Sequence, residues 1–277
     1  MKEMTLKDVQ EQSLEVLKIT DDFCRKNGIR YYLAYGTLIG AARHQGFIPW
    51  DDDIDILVPR PDYDRLCKIF KVDGYELICP ENTPGCYLPF ARICDTTRTL
   101  VKSADPWIKG TTDYGVWIDV FPLDAVTDNQ EEFTELYRRM LRLYAEQLSI
   151  RRRKTKLDSA FGLKRNLKTI LHWFLHPIRH FQSPMKARNE VLAAMAACPQ
   201  YGTTGHLSML PCPEREWEWF PVEDFKDVAY LPFCGREFPV PSGWDHHLRQ
   251  VFGDYMQLPP EEERTPRQFR FVKFFLK

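Results

Sequence analysis

In the first 125 residues, apolar positions come in short blocks cut by Gly, Pro and Asp, the rhythm of strands joined by turns and helices. Residues 5–27 read as a helix. Thr5 can N-cap it, Asp8 stands at the third helical position, and Gly28 suits the left-handed residue beyond a helix end. IRYYLAY (29–35) is a β-branched and aromatic strand, followed by a Gly36-Thr37 turn and a short helix, LIGAARH. IDILV (54–58) is a second strand, stopped by Pro59, and Pro61 opens a helix over 61–71. YELIC (75–79), YLPFARICD (87–95) and TRTLVK (97–102) read as further strands. DYGVWIDVFPLD (113–124) holds another, ending at an aspartate-rich turn.

From Gln130 the period changes. EEFTELYRRMLRLYAEQLSIRRRK is helical, and Leu163, Leu167, Ile170, Leu171, Phe174 and Ile178 recur at three and four residues, an amphipathic helix with a basic back. Ser183-Pro184 starts a helix reaching Cys198. In the Pro-rich tail, Ser242 with Asp245 can cap WDHHLRQVF, which Gly253 stops. The pattern thus divides the chain into an α/β core over 1–125, a basic helical segment over 126–200, and a mixed segment over 201–277 that packs on the core.

Composition narrows the class. With 277 residues, 44% hydrophobic and 28% charged, the chain can bury a core and is neither disordered nor membrane-embedded. No apolar run reaches the length of a spanning helix, and the first residues lack a signal-peptide pattern. The expected location is the cytoplasm, where the eight cysteines stay reduced. There is no CxxC pair; Cys79, Cys86 and Cys94 are close enough in sequence to raise a zinc site, but packed thiols are the preferred reading. The net charge of −1 hides a split: Arg138 to Arg188 holds 14 Lys/Arg against two acids, so the rest of the chain is acidic.

One stretch concentrates charge beside an apolar run. FIPWDDDIDILV (47–58) carries Asp51, Asp52, Asp53 and Asp55. Period two sends Asp51, Asp53 and Asp55 to one side and Ile54 and Ile56 to a core. Carboxylates in one row raise each other's pKa, and a divalent cation relieves that cost. Asp53 and Asp55 are therefore the core of a candidate metal site. The Gly36-Thr37 turn offers backbone N–H groups at a helix start, suited to a phosphate, with Arg43 nearby. Asp119, interrupting the apolar VWIDVF, is the candidate third carboxylate, as ligand or as proton acceptor.

These residues carry a resemblance. YGTLIGAARHQGFIPWDDDIDI (35–56), LPFARICD (88–95), YGVWIDVFPLD (114–124) and FGDYMQLPPEEER (252–264) closely resemble the LicD family of phosphotransferases, related to fukutin and fukutin-related protein. The resemblance implies an α+β fold like the nucleotidyltransferases of polymerase-beta type, a mixed sheet flanked by helices with a helical C-terminal part. It also implies transfer of a phospho-alcohol group, such as phosphocholine from CDP-choline, to a hydroxyl of a cell-surface glycan, with release of CMP. CDP-ribitol and similar donors serve relatives; lipopolysaccharide, teichoic acid or a lipid-linked precursor would be the acceptor. By the same carry-over Asp51, Asp53, Asp55 and Asp119 would ligate one or two Mg²⁺, and Gly36 and Thr37 would hold the diphosphate. Arg43 and Arg92 would contact donor phosphates or base.

Other features fit less well. His172, His176 and His180 align at four-residue spacing, but Pro177 breaks the helix between them and the surroundings are cationic, which argues against a metal there. The basic run and apolar faces over 151–180 resemble an interfacial membrane segment, at the inner face of the membrane. Nucleic-acid binding is set aside, because no such motif accompanies the basic charge. Two other functions share these residues: a nucleotidyltransferase that adds an NMP from an NTP, and a non-catalytic membrane- or glycan-binding module.

Overall fold

A computed structural model describes residues 1–103, 114–153, 183–213, 218–270 and 272–277, together with Leu167, Ile170 and Leu171. The chain opens with a two-residue strand β1 (Lys2–Glu3) and helix α1 (Leu6–Asn27). Thr5 and Asp8 form a reciprocal capping box, and Gly28 ends the helix at φ 61°, as the sequence signals require. Val9, Ser13, Val16, Leu17, Thr20 and Cys24 form its buried stripe.

Next come β2 (Tyr32–Leu33), α2 (Tyr35–His44), β3 (Asp55–Pro59), α3 (Arg60–Ile69), β4 (Tyr75–Ile78), β5 (Ala91–Asp95), β6 (Thr99–Ser103) and β7 (Trp117–Val126). The helical part is α4 (Gln130–Arg153) and α5 (Pro184–Ala196). The tail adds β8 (His206–Ser208), β9 (Phe220–Pro221), the hairpin β10 (Val228–Phe233) and β11 (Arg236–Pro241), α6 (Trp244–Phe252) and β12 (Val272–Leu276).

The central sheet runs β2-β3-β7-β5-β4, with β8 and β9 continuing from the far end of β7. Only β3 and β7 pair in parallel within it; the other pairs are antiparallel. β12 pairs with both β1 and β6 in a smaller sheet. The expectation of a mixed sheet flanked by helices therefore holds.

Alternation along each strand sorts the core into two layers. Ile54, Ile56, Val58, Ile93, Ile118 and Val120 face one layer with Val16, Leu17 and Leu38. Leu57, Cys94, Trp117, Phe121 and Leu123 face the other, with Leu88, Phe90 and Phe274. A third, smaller cluster of Phe133, Tyr137, Met140 and Val191 holds α4 to α5.

Several boundaries differ from the sequence expectation. The IRYYLAY strand is only two residues long, because α2 begins at Tyr35 and takes Gly36 and Thr37 into its first turn. The strand through Asp119 does not end at Asp124. It continues to Val126, because Arg60 neutralises the buried Asp124 carboxylate through contacts of 2.5 and 2.8 Å. Ser242 does not cap α6; Gly243 holds that position, and the Ser242 hydroxyl donates to the Asp224 carbonyl at 3.2 Å.

Candidate active site

Strand register builds the site. In the parallel β3–β7 pair Asp55 lies opposite Asp119, and in the antiparallel β5–β7 pair Arg92 lies opposite Asp119. Three neighbouring strands thus set Asp55, Asp119 and Arg92 in one row across a single face of the sheet. Arg92 grips both oxygens of Asp119, Nε–H to Oδ1 at 2.5 Å and Nη2–H to Oδ2 at 3.3 Å, and its guanidinium lies 4.4 Å from the Trp117 ring centroid. Burial lifts the Asp119 pKa, Arg92 pulls it back, and Asp53 adds to the lift.

The four acids of the 51–55 run have separate surroundings. Strand geometry begins only at Asp55, so Asp51 does not reach the site by strand alternation; a turn closed by its own N–H to the Ile48 carbonyl at 2.9 Å carries it there. Its pKa stands well above the ordinary carboxylate range, first through burial and then through repulsion from Asp53 and Asp52, with Arg267 opposing. Asp52 turns the other way. Only 3% exposed, it accepts the backbone N–H groups of Arg267, Gln268 and Phe269 at 3.2, 2.8 and 3.0 Å. Asp53 accepts from the Gln268 amide at 2.9 Å.

Carboxylate oxygens of Asp51, Asp52 and Asp53 lie within 4.8 Å of one another. Three amides already occupy Asp52, which leaves Asp51 and Asp53, with Asp55 beside them, as the set able to take a cation. A divalent cation fits this group. Hard oxygen ligands suit Mg²⁺, and the burial and then the carboxylate repulsion that lift Asp51 are costs such an ion offsets.

Gly36, Arg43, Asp51, Asp53, Asp55, Arg92 and Asp119 line one cleft of about 740 Å³. At Gly36 the absence of a side chain is required: a Cβ there would sit 2.6 Å from Asp51 Oδ2. Neighbouring Tyr35 holds φ 46°, a costly conformation for an aromatic residue and one that recurs at functional sites. Thr37 lies beneath the cleft, 3% exposed, its hydroxyl oxygen accepting the Asp55 N–H at 2.9 Å. It braces the backbone of Asp55, the one acid on β3, and is not among the residues lining the cavity. Arg43 donates to the carbonyls of Tyr255 at 2.5 Å and Gln257 at 3.3 Å, tying α2 to the C-terminal segment.

The C-terminal segment supplies the opposite wall, with Asp254, Tyr255, Gln257, Pro259, Glu263 and Arg267 on the cleft. Sequence reasoning missed these residues and Gln268. The signal was Asp52, an acid that alternation leaves off the metal-facing side and that therefore needs a partner elsewhere. Among the described residues Cys79 groups with Cys67 and Glu81 rather than in a cluster with Cys86 and Cys94, and all four of these cysteines are buried. His172, His176, His180 and nearly all of 151–180 lie outside the described residues.

A mixed sheet with a run of acids leading into one strand, a glycine in the first turn of the adjoining helix and a further acid on the neighbouring parallel strand defines a nucleotidyltransferase-type catalytic core. The sequence profile described as LicD/FKTN/FKRP, nucleotidyltransferase domain, matches residues 28–135. Over 276 residues, 98% of both chains, the protein is 30% identical to the lipopolysaccharide cholinephosphotransferase LicD of Haemophilus influenzae. A protein of uncharacterised function from Rickettsia prowazekii is 46% identical over 64 residues, 22% of this chain and 24% of that one. Human ribitol 5-phosphate transferase FKRP is 59% identical over 29 residues, 10% of this chain and 6% of that protein. The chain belongs to the LicD family. Membership makes it an enzyme of the phosphotransferase kind.

Proposed function

We propose that this enzyme moves a phospho-alcohol group from a CDP-activated donor to a hydroxyl of a glycan or its lipid-linked precursor, releasing CMP. The observation that carries this is the Asp55–Asp119–Arg92 row, flanked by Asp51 and Asp53, at the floor of a cleft large enough for a nucleotide diphosphate. Phosphoryl transfer asks chiefly for positioning and charge neutralisation, and a row of fixed carboxylates around a divalent cation meets that need.

Asp51, Asp53 and Asp55 would hold Mg²⁺, one ion or two. Such an ion supplies neutralisation of the diphosphate charge and of the departing CMP. The first turn of α2, which holds Gly36, would offer backbone N–H groups to the diphosphate. Arg92 fixes the carboxylate plane of Asp119. Asp119, its proton affinity raised by burial, takes the proton of the acceptor hydroxyl. The hydroxyl oxygen forms a bond to the phosphorus bearing the alcohol, and the bond from that phosphorus to the CMP oxygen breaks.

Residues 1–125 supply this machinery, 201–277 close over it, and the basic segment 126–200 is assigned to the acceptor side, against a membrane face where the acceptor is lipid-linked. Among the described residues no helix is long and apolar enough to cross a membrane.

A thermal-shift screen tests the donor class. With Mg²⁺ present, CDP-choline, CDP-ribitol or CDP-glycerol raises the melting temperature of the native protein by mass action. A shift with nucleoside triphosphates alone would favour NMP transfer and overturn the proposal.

A further inference from the structure

Among the described residues, two groups of three side chains each bring one ligand atom per residue within 4.8 Å of one another. One is the carboxylate run beside the cleft. The other is Cys67, Cys79 and Glu81, none of which lines the cleft. Cys67 stands in the last turn of α3, and Cys79 follows directly on β4. Both thiols are buried, while Glu81 lies at the surface. Hydrogen bonds fix the turn that carries Cys79 and Glu81. The Asn82 side chain accepts the Cys79 N–H at 3.1 Å and donates to the Leu77 carbonyl at 3.0 Å. The Thr83 N–H donates to the Cys79 carbonyl at 3.0 Å.

We infer that Cys67, Cys79 and Glu81 form a metal site of their own, apart from the cleft, which takes Zn²⁺ with water as the fourth ligand. Two sulfurs and one carboxylate suit zinc and not the hard Mg²⁺. Tetrahedral zinc, at about 2.3 Å from sulfur and about 2.1 Å from oxygen, sets its ligand atoms about 3.6 to 3.8 Å apart. The three residues therefore need to close in by about 1 Å at most. Exposed Glu81 gives the ion a way in from solvent. On binding, the two thiols release their protons to water, and two thiolates and a carboxylate around Zn²⁺ leave a single negative charge. The ion would tie α3, which follows the strand of Asp55, to the end of β4, where Ile78 lies opposite Arg92. This site stands whichever donor the cleft takes.

Cobalt titration of the reduced full chain, with Mg²⁺ in excess, tests the site. Co²⁺ is expected to give a thiolate-to-metal charge-transfer band, which the cleft carboxylates cannot give, and Zn²⁺ to displace it at one ion per chain. Cys67→Ser and Cys79→Ser are expected to abolish the band, and Cys86→Ser, at a buried thiol outside the group, to retain it. Glu81→Gln changes a surface position and so leaves the fold intact. It is expected to weaken Zn²⁺ binding by about tenfold or more, since the loss of even an outer-shell partner costs that much. The rise in melting temperature that Zn²⁺ brings to the wild type should shrink with it. A wild type without a thiolate band, or a band that survives Cys67→Ser or Cys79→Ser, would overturn the inference. So would a Glu81→Gln variant that binds Zn²⁺ as tightly as the wild type. A chain that, purified without reductant, is lighter by two hydrogens and holds no metal would assign the pair to a disulfide and overturn it too.

Discussion

At the scale of single residues, the site depends on charges that are costly apart. Arg92 and Asp119 are 12% and 8% exposed at their side chains, so removing one leaves the other buried and unpaired. Arg92→Met is expected to destabilise the fold by about 3 kcal/mol. Adding Asp119→Asn recovers part of that stability but none of the activity, and denaturant melts with turnover assays on the single and double variants check both. Asp53→Asn should retain the melting temperature of the wild type and lose about a thousandfold in transfer rate, because it withdraws a charge from the diphosphate region without emptying space. Gly36→Ala brings a methyl within 2.6 Å of Asp51 Oδ2. The expected outcome is weaker Mg²⁺ binding in calorimetry with little change in far-ultraviolet circular dichroism.

At the scale of elements, the C-terminal segment and α6 control how firmly the cleft is walled. Asp52 accepts three consecutive amides of that segment, so Asp52→Ala strands them, at a cost of about 3 kcal/mol. Hydrogen exchange should then speed up at Arg267, Gln268 and Phe269 ahead of the core strands; unchanged protection there would contradict the clamp. In α6, His247 is fully buried against Phe220 and Phe225 at 4.4 and 5.4 Å, and burial pushes its pKa down to about 3. The folded state keeps His247 neutral, while the unfolded chain takes up a proton below about 6.5. Stability is therefore lost as pH falls from 6.5 toward 3, by at most about 1.4 kcal/mol per pH unit. His247→Phe should flatten this part of the acid limb in melts recorded across that range.

Elements also show what the sequence made legible. Caps and breakers located α1, α3 and α5 well, since Thr5, Asp8, Gly28, Pro61 and Pro184 act within a few residues of themselves. Alternation correctly separated Asp53 and Asp55 from Ile54 and Ile56. It failed at Asp51, where a turn does the placing, and at Asp124, where Arg60 allows a charged residue inside a strand. A local pattern cannot show a partner 64 residues away in the chain.

Across the whole molecule, the cleft is a product of register. Pairing of β3 with β7 and of β7 with β5 brings Asp55, Asp119 and Arg92 together from three separated segments. Those segments were recognisable as family motifs one by one. Their alignment into one row was not, because a shift of one residue in either pairing would send the acids to the opposite face. The C-terminal wall was hidden for the same reason: its contact with Asp52 spans more than 200 residues of chain. The Haemophilus relative matches through this wall as well as the core, over 98% of its length.

The most direct test of this account is the identity of the small product. The protein is incubated with Mg²⁺, a glycan or glycolipid acceptor extract, and either CDP-choline or CTP, and the products are resolved by phosphorus NMR. The account predicts CMP and a new phosphodiester from CDP-choline, absent with the Asp53→Asn variant. Pyrophosphate from CTP, with CDP-choline left intact, would contradict it.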